Sequence, residues 1–204
     1  PASSCLLVFV AVDEDGNPTT VRPWQPMRAD DVARSEYAQV RSQVRAKIAA
    51  EMERADYSKP TAALEVDTRF LAAPTDVNWG GKAHGGRVMA WIDDAAYLCG
   101  ARWSSGEVAT AYMGGVRFYR PIHIGQVAEV SARLIHTGKQ TMHVAVHVRT
   151  YWPREGRETS RLAAHSLTVL AALDEAGDAT DVAPWVPRLP GDVALDRHAR
   201  ELIA

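Results

Sequence analysis

Two adjacent carboxylates, Asp93 and Asp94, stand in the middle of the apolar segment GRVMAWIDDAAYLCGARW, residues 86–103. Carboxylates are rarely buried without a partner, because moving an uncompensated charge out of water costs on the order of several kcal/mol. One interpretation is structural: the segment lies at a subunit interface with one wet face, and either acid is solvated or paired with an arginine such as Arg117. The other interpretation is catalytic.

Residue spacing favours the catalytic interpretation for Asp93. It follows Gly86 by seven residues, so in an α-helix both lie on nearly the same face, about two turns apart. Gly85 and Gly86 would begin this helix, where unpaired backbone N–H groups and the helix dipole polarise a carbonyl oxygen. Asn78, just before the helix, has an amide that can orient a water molecule. These are the groups that thioester hydrolysis requires.

Histidines offer weaker candidates. His84 precedes the helix, so it is expected either to contact a substrate or to shape and cap the loop. The remaining strand-like histidines have no metal-ligand spacing, and we expect them at the surface or in packing contacts: His123, His136, His143, His147 and His165. No metal site is predicted.

The elements that position these residues follow from hydrophobic patterning. Residues 86–103 contain no proline and are apolar on nearly every side, which predicts a long buried helix. A strand, Ala63–Leu71, precedes it. Together they predict an α+β hotdog fold, an antiparallel sheet wrapped around one helix. Four alternating segments with short turns complete the sheet: Val108–Arg120, Gln126–Thr137, Thr141–Trp152 and Arg161–Leu173.

An internal repeat indicates the domain organisation. Residues 6–40 match residues 167–201 without a gap, with 15 of 35 positions identical. Each copy has an apolar strand, an acidic glycine turn, an extended segment with proline and tryptophan, and a helix. The second copy closes the domain before it, so the first is expected to close a domain whose body this chain lacks. Its strand, Leu6–Val12, is expected to pair with another subunit or to fray.

Between the copies, Asp31–Ala55 predicts an amphipathic linker helix, because its apolar residues recur every three or four positions. Those apolar residues are Tyr37, Val40, Val44, Ile48 and Met52. The predicted divisions are the tail of a first hotdog (1–30), the linker helix (31–60), a hotdog domain (61–190) and a C-terminal helix (191–204).

Composition excludes several classes of protein. The 204 residues are 47% hydrophobic and 24% charged with a formal net charge of −2, which is typical of a globular protein without a nucleic-acid or anionic-membrane partner. The two cysteines, Cys5 and Cys99, are far apart and are expected to be reduced. No leader and no apolar run of about 18 residues is recognised, so we expect a cytoplasmic protein.

The segment NWGGKAHGGRVMAWIDDAA, residues 78–96, resembles the active-site signature of the hotdog-fold acyl-CoA thioesterases. In particular it resembles the acyl-CoA hydrolase group, which contains tandem-hotdog enzymes and bacterial single-domain relatives. VRFYRPIHIG, residues 116–125, and DEAG, residues 174–177, are also similar to segments of that family. The resemblance covers about residues 63–190 and, as a second copy of the tail, residues 6–40.

This resemblance implies roles for individual residues. Asp93 would be the general base or nucleophile, Asn78 its partner across a dimer interface, and the N–H of Gly86 the donor to the thioester oxygen. Further residues are expected to contact the substrate, in part through the phosphates of coenzyme A: His84, Gly85, Arg117, Arg120, Gly138, Lys139 and Thr141.

The implied function is hydrolysis of acyl-CoA to a free acid and coenzyme A, as in fatty-acid and lipid metabolism. Coenzyme A is part of the substrate, and no separate cofactor is expected. The implied assembly is a homodimer or a trimer of dimers. Two alternatives remain: a hotdog domain that binds acyl-CoA without hydrolysing it, and a half-enzyme that needs a separate first hotdog domain.

Overall fold

The computed structural model of the chain describes residues 9–14, 17–78 and 80–203. The chain forms two compact units, Pro1–Gln43 and Val44–Ala204. The described part contains, in chain order, α1 (Ala29–Arg54), β1 (Glu65–Leu71), α2 (Gly85–Ser104), β2 (Val108–Phe118), β3 (Val127–Thr137), β4 (Thr141–Tyr151), β5 (Arg161–Ala172) and α3 (Pro190–Ile203).

The five strands form one antiparallel sheet in the order β1-β3-β4-β5-β2. All five predicted strands are present, and their ends lie within two residues of the predicted ones. β2 is an edge strand, and its pairing with β5 is shifted after Thr110 and again after Gly114. Gly115 permits the second irregularity, because its φ of 60° is unfavourable for residues with a side chain.

α2 packs across one face of the sheet and forms the main core with it. Gly100 allows a close approach to β5, since a Cβ atom there would lie 2.4 Å from Cδ1 of Leu170. Alternation along each strand sends every second side chain toward the helix. Residues that are fully buried in this core include Ile92 and Cys99 of α2, Val130 and Leu134 of β3, and Val144 and Val146 of β4.

In a single chain the prediction of a buried helix is confirmed for one side of α2 only. The sheet covers only one side, and on the other side Asp94, Tyr97 and Leu98 are exposed, with relative exposures of 39% for Tyr97 and 46% for Leu98. Sequence hydrophobicity shows that a helix needs cover but not which surface provides it. No helix within residues 9–14, 17–78 and 80–203 combines the length and apolarity that a membrane crossing requires.

The opposite face of the sheet carries a second, smaller core. There Ile48 and Met52 of α1 and Leu195 of α3 pack with Ile135 of β3. Val44, one turn earlier on the predicted apolar stripe, is exposed. Within the second unit, therefore, only the C-terminal end of that stripe packs against the sheet.

The internal repeat recurs in the hydrogen bonding. α1 begins at Ala29 and α3 at Pro190, an offset of 161 residues. The described part of the first tail, from residue 9 onward, repeats two backbone hydrogen bonds of the second; residues 6–8 of the predicted strand and residues 15 and 16 lie outside the described residues. Two backbone bonds, Asp13 N–H to Asn17 and Thr19 N–H to Ala11, correspond to Asp174 N–H to Asp178 and Thr180 N–H to Ala172, each 2.9 Å long.

Buried histidines on the outer face of the sheet should make stability depend on pH. Burial and the nearby His136 lower the pKa of His143 to about 4, whereas an unfolded histidine titrates near about 6.5. Between these values the unfolded chain binds the extra proton, so stability is complete above about pH 6.5 and falls as the pH falls toward 4. We expect the urea concentration at the unfolding midpoint to fall as the pH is lowered over that range. In the His143→Gln variant this midpoint should depend less steeply on pH. The same pH dependence of the midpoint in the wild type and in His143→Gln would contradict this expectation.

Candidate active site

The loop between β1 and α2 holds Asn78 through its side-chain oxygen. Oδ1 of Asn78 accepts the N–H of Gly80 at 2.9 Å and the N–H of Lys82 at 3.2 Å. Since this oxygen is occupied within its own loop, the NH₂ group of the half-buried side chain is left for a substrate or water. Asn78 can therefore act here as a donor, a narrower role than the donor and acceptor expected from sequence.

Asp76 fixes this loop to the start of α2. The carboxylate is only 6% exposed, and it accepts Nε–H of Arg87 at 2.7 Å and the N–H of Ala73 at 2.9 Å. The backbone carbonyl of Asp76 also accepts the N–H of His84 at 2.8 Å. Sequence analysis missed this residue. Two features of the sequence could have indicated it: an aspartate stands two positions before Asn78, and the first turn of the following helix contains a basic residue.

His84 is the N-cap of α2. Its Nδ1 accepts the N–H of Gly86 at 3.1 Å, which is the capping role that the sequence left as an alternative. The Gly86 N–H predicted to hold an oxyanion therefore points out of the helix and has an acceptor already. A carbonyl oxygen that binds there has to replace the imidazole.

A cleft of about 350 Å³ lies beside this helix start. It brings together three of the predicted site residues, Asn78, Gly85 and Arg120, with the aromatic rings of Phe118 and Tyr119. The backbone tie between the N–H of Ala83 and the carbonyl of Ile122, 2.8 Å long, joins the two sides of the cleft. The cleft thus combines the open end of a helix, an amide donor and a guanidinium.

Asp93 lies outside the walls of this cleft. It is on α2, seven residues and therefore about 10 Å beyond Gly86, and it is half-buried. The hydroxyl of Thr110 on β2 donates to Oδ1 of Asp93 at 2.7 Å. Asp94, by contrast, is exposed. Thr110 was missed by sequence analysis because the contact joins a helix to a strand 17 residues further along.

Arg117 does not pair with either of these acids. It forms an ion pair with Glu53 of α1 and lies over the ring of Tyr119, with 5.2 Å from its guanidinium carbon to the ring centroid. The expectation that Arg117 pairs with Asp93 or Asp94 is therefore wrong. Its predicted contact with a phosphate stays a prediction, and Glu53 already neutralises its charge.

The predicted substrate residues Gly138 and Lys139 lie in the turn between β3 and β4, and Thr141 is the first residue of β4. This turn is at the end of β3 opposite to the cleft, because the loop of Ile122 precedes the start of β3. Lys139 is 3.9 Å from a carboxylate oxygen of Asp181, and the N–H of Gly138 donates to the carbonyl of Thr141 at 2.8 Å. One chain does not bring this turn and the cleft together.

Four of the strand histidines are packing residues, whereas His84 caps α2 and His123 is exposed. His136 and His143 lie with ring centroids 5.2 Å apart, and His147 and His165 with centroids 6.1 Å apart. Within residues 9–14, 17–78 and 80–203 no group of three or more histidine, cysteine or acidic side chains is arranged to hold a metal ion.

Sequence comparison places these features in a known family. Residues 80–156 match the family model of the Thioesterase superfamily. An uncharacterised acyl-CoA thioester hydrolase of Zymomonas mobilis is 32% identical over 124 residues, which are 60% of this chain and 81% of that protein. The chain belongs to the acyl-CoA thioester hydrolase family. A further member, YkhA of Bacillus subtilis, is 31% identical over 62% of this chain and 72% of its own length.

Solved structures agree with this family assignment. A hexameric acyl-CoA thioesterase, crystallised without ligand, is 27% identical with a TM-score of 0.65 over 71% of this chain and 92% of its own. The acyl-CoA hydrolase of Staphylococcus aureus, solved with butyryl coenzyme A and coenzyme A, is 25% identical with a TM-score of 0.63 over 68% of this chain and 84% of its own. Its alanine variants include an asparagine, an aspartate fifteen residues later and a threonine seventeen residues after that.

Proposed function

We propose that this protein hydrolyses acyl-CoA to a free carboxylic acid and coenzyme A. The observation that carries the proposal is the half-buried Asp93 on α2, which a threonine hydroxyl orients two turns beyond a helix start with outward N–H groups. A fixed carboxylate is suited to activating water, and a helix N-terminus is suited to stabilising a developing oxyanion. Membership of the acyl-CoA thioester hydrolase family supports the same reaction.

The reaction that fits these groups begins with attack of a water oxygen on the thioester carbonyl carbon. Asp93 takes the proton of that water, and N–H groups at the start of α2, from Gly86 once His84 has moved aside, stabilise the oxyanion. The NH₂ group of Asn78 donates a hydrogen bond that orients the reacting groups. Collapse of the tetrahedral intermediate breaks the C–S bond, and the thiolate of coenzyme A takes up the proton. Direct attack by Asp93, followed by hydrolysis of the anhydride, uses the same geometry.

We infer that one complete site needs two copies of the chain. Asn78 and Phe118 share the cleft, whereas Asp93 is bonded to Thr110, eight residues earlier on β2. Eight residues of regular strand span up to about 26 Å, and along α2 Asp93 is about 10 Å from the helix start that borders the cleft. The two halves of the chemistry therefore lie near opposite ends of the same edge strand.

Antiparallel pairing of two β2 edges around a two-fold axis near Gly114 resolves this separation. Gly114 is midway between Thr110 and Phe118, so such a pair places Thr110 of one copy opposite the partner's Phe118. It also covers Tyr112, which is 46% exposed, and Phe118, which is 49% exposed. Asp93 of one copy would then approach Asn78 of the other.

Residue spacing supports the same assignment. Asn78, Asp93 and Thr110 have the residue types and the separations, fifteen and seventeen positions, of the three residues replaced by alanine in the Staphylococcus aureus hydrolase. We propose that Thr110 is a positioning residue for Asp93. Arg120 in the cleft, and Arg117, Gly138, Lys139 and Thr141 from other copies, are the proposed contacts for coenzyme A.

A trimer of such dimers is the proposed assembly, by analogy with the hexameric thioesterases that this chain resembles in fold. Its test is the mass in solution. The reaction itself is tested by thiol release from short, medium and long acyl-CoAs. We expect release from at least one chain length. Tight binding of acyl-CoA without release would instead favour the non-hydrolytic alternative.

A further inference from the structure

A second cavity, of about 590 Å³, lies on the outer face of the sheet, on the side away from α2. Its floor is formed by outward side chains of the strands, including His147, Arg149 and His165, and the segment after α1 covers it with Tyr57. Its volume is within the range of small-molecule pockets. Of the residues described above for the cleft, only Tyr119 also borders this cavity.

His165 borders this cavity and has a buried polar atom without a partner among the described residues. The side chain is 3% exposed, and its Nδ1 is 3.0 Å from the hydroxyl of Tyr119. Its Nε2 has no hydrogen-bond partner among the residues that the structure describes. A buried polar atom without a partner costs about 1–3 kcal/mol, so a site that leaves one is suited to a ligand that satisfies it.

The imidazole is neutral at physiological pH. Burial and then the positive charge of Arg117 lower the pKa of His165, although Glu53 acts in the opposite direction. When Tyr119 donates its hydroxyl proton to Nδ1, the single proton of the neutral ring is on Nε2. Nε2–H is then a donor, and its complement is an oxygen acceptor.

The charges around the cavity leave one guanidinium without a carboxylate. Each of the four acids that line the cavity has a basic partner: Glu53 pairs with Arg117, Asp56 with Lys59, Glu65 with Arg133 and Glu129 with Arg157. Arg149, in contrast, bonds only to Ser160, through its hydroxyl and carbonyl oxygens, each at 3.2 Å. Within the described residues no carboxylate lies within 4.0 Å of Arg149. Among the described residues that line the cavity, Arg149 is therefore the guanidinium that remains for an anion.

We propose that this outer-face cavity is a binding site for a small organic monocarboxylate. Arg149 receives one carboxylate oxygen, Nε2–H of His165 donates to the other, and the carbon chain lies against Met52, Tyr57 and Leu162. Arg149 and His165 lie on adjacent strands: His165 pairs with His147, and beyond a register shift Arg149 pairs with Leu162, three residues before His165. Both residues line the cavity, and the long side chain of Arg149 lets its guanidinium approach a carboxylate that is bound beside His165.

A carboxylate fits better than the other anions that an arginine binds. A phosphate dianion needs a second cation, but Arg133 and Arg157 already have carboxylate partners. The nearby acids Glu65 and Glu129 also oppose a second negative charge. A neutral alcohol of the same length would leave Arg149 without a counter-ion.

The test is calorimetric titration of the intact protein with octanoate, octanol and inorganic phosphate. We expect octanoate to bind, and Arg149→Gln and His165→Phe each to weaken it about tenfold or more, the loss expected for one hydrogen bond to a charged group. Arg154→Gln removes an exposed turn arginine outside the cavity and controls for net charge. Asn78→Ala controls for binding in the cleft, and both controls should leave the affinity unchanged.

Several results would overturn the proposal: no octanoate binding to the wild type, equal affinity for octanol or phosphate, or affinity lost with Asn78→Ala. Because Arg149 is exposed, its variant keeps the test valid even if His165→Phe does not fold. The titration measures binding rather than hydrolysis. An absence of thiol release therefore leaves this proposal standing, and an absence of octanoate binding leaves the proposed hydrolysis standing.

Discussion

Asp93→Asn is expected to lower the rate of thiol release from acyl-CoA by about 10²–10⁴-fold, the usual contribution of a general base. Asparagine has the same shape and still offers an oxygen to the hydroxyl of Thr110, so the position of the side chain is retained. The change removes the proton acceptor and the nucleophile alike. Initial rates under saturating acyl-CoA, with a thiol reagent as reporter, measure the effect.

Asp94→Asn is the matched control, because it makes the same chemical change one residue later on the same helix. Asp94 is exposed, and it points about 100° away from Asp93 around the helix axis. We expect its variant to retain thiol release and an unchanged thermal midpoint. Equal losses in the two variants, or full activity in Asp93→Asn, would remove Asp93 from the mechanism.

The secondary structure of the second unit could be predicted from sequence because its elements are long and strongly periodic. β3 alternates apolar and polar residues from Ala128 to Leu134, and both its ends are marked by turns. α2 was recognised by its length, its lack of proline and the glycine pair before it. Local pattern decides such elements, so their bounds were confirmed within two residues.

The surfaces that bury the apolar side chains of these elements could not be predicted in the same way. The pattern of α2 is apolar all round, yet in one chain Leu98 and Tyr97 are exposed. A hydrophobic pattern records only that a surface is to be covered, and a second copy would satisfy it as well as the same chain. The linker helix shows the same limitation, since Val44 has the periodicity of Met52 but not its burial.

Within the candidate site, residue types were predictable and their hydrogen bonds were not. The sequence indicates a histidine next to a glycine-opened helix, but not that His84 itself occupies the N–H of Gly86. It indicates an amide at Asn78, but not that Oδ1 is taken by the N–H groups of Gly80 and Lys82. Which acceptor each backbone N–H group finds depends on the local geometry of the loop, which the sequence pattern does not give. The roles of Asn78, Gly86 and Asp93 in catalysis stay predictions.

Mixing two inactive variants tests whether the site is shared between copies. Asn78→Ala and Asp93→Asn should each be nearly inactive alone. After subunit exchange, about half of the dimers contain one copy of each, and in these one of the two sites has both residues intact, so about a quarter of wild-type activity should return.

Asn78→Ala mixed with the double variant Asn78→Ala/Asp93→Asn is the control, because no pairing of those chains rebuilds a site. No recovery in mixed dimers whose composition is verified by native mass spectrometry would mean that Asn78 and Asp93 do not act across the interface. Recovery requires that each copy supply what the other lacks. In one chain Asn78 lies in the cleft near Phe118 while Asp93 is held by Thr110, so a two-fold axis between these positions on β2 is the arrangement that the recovery would establish.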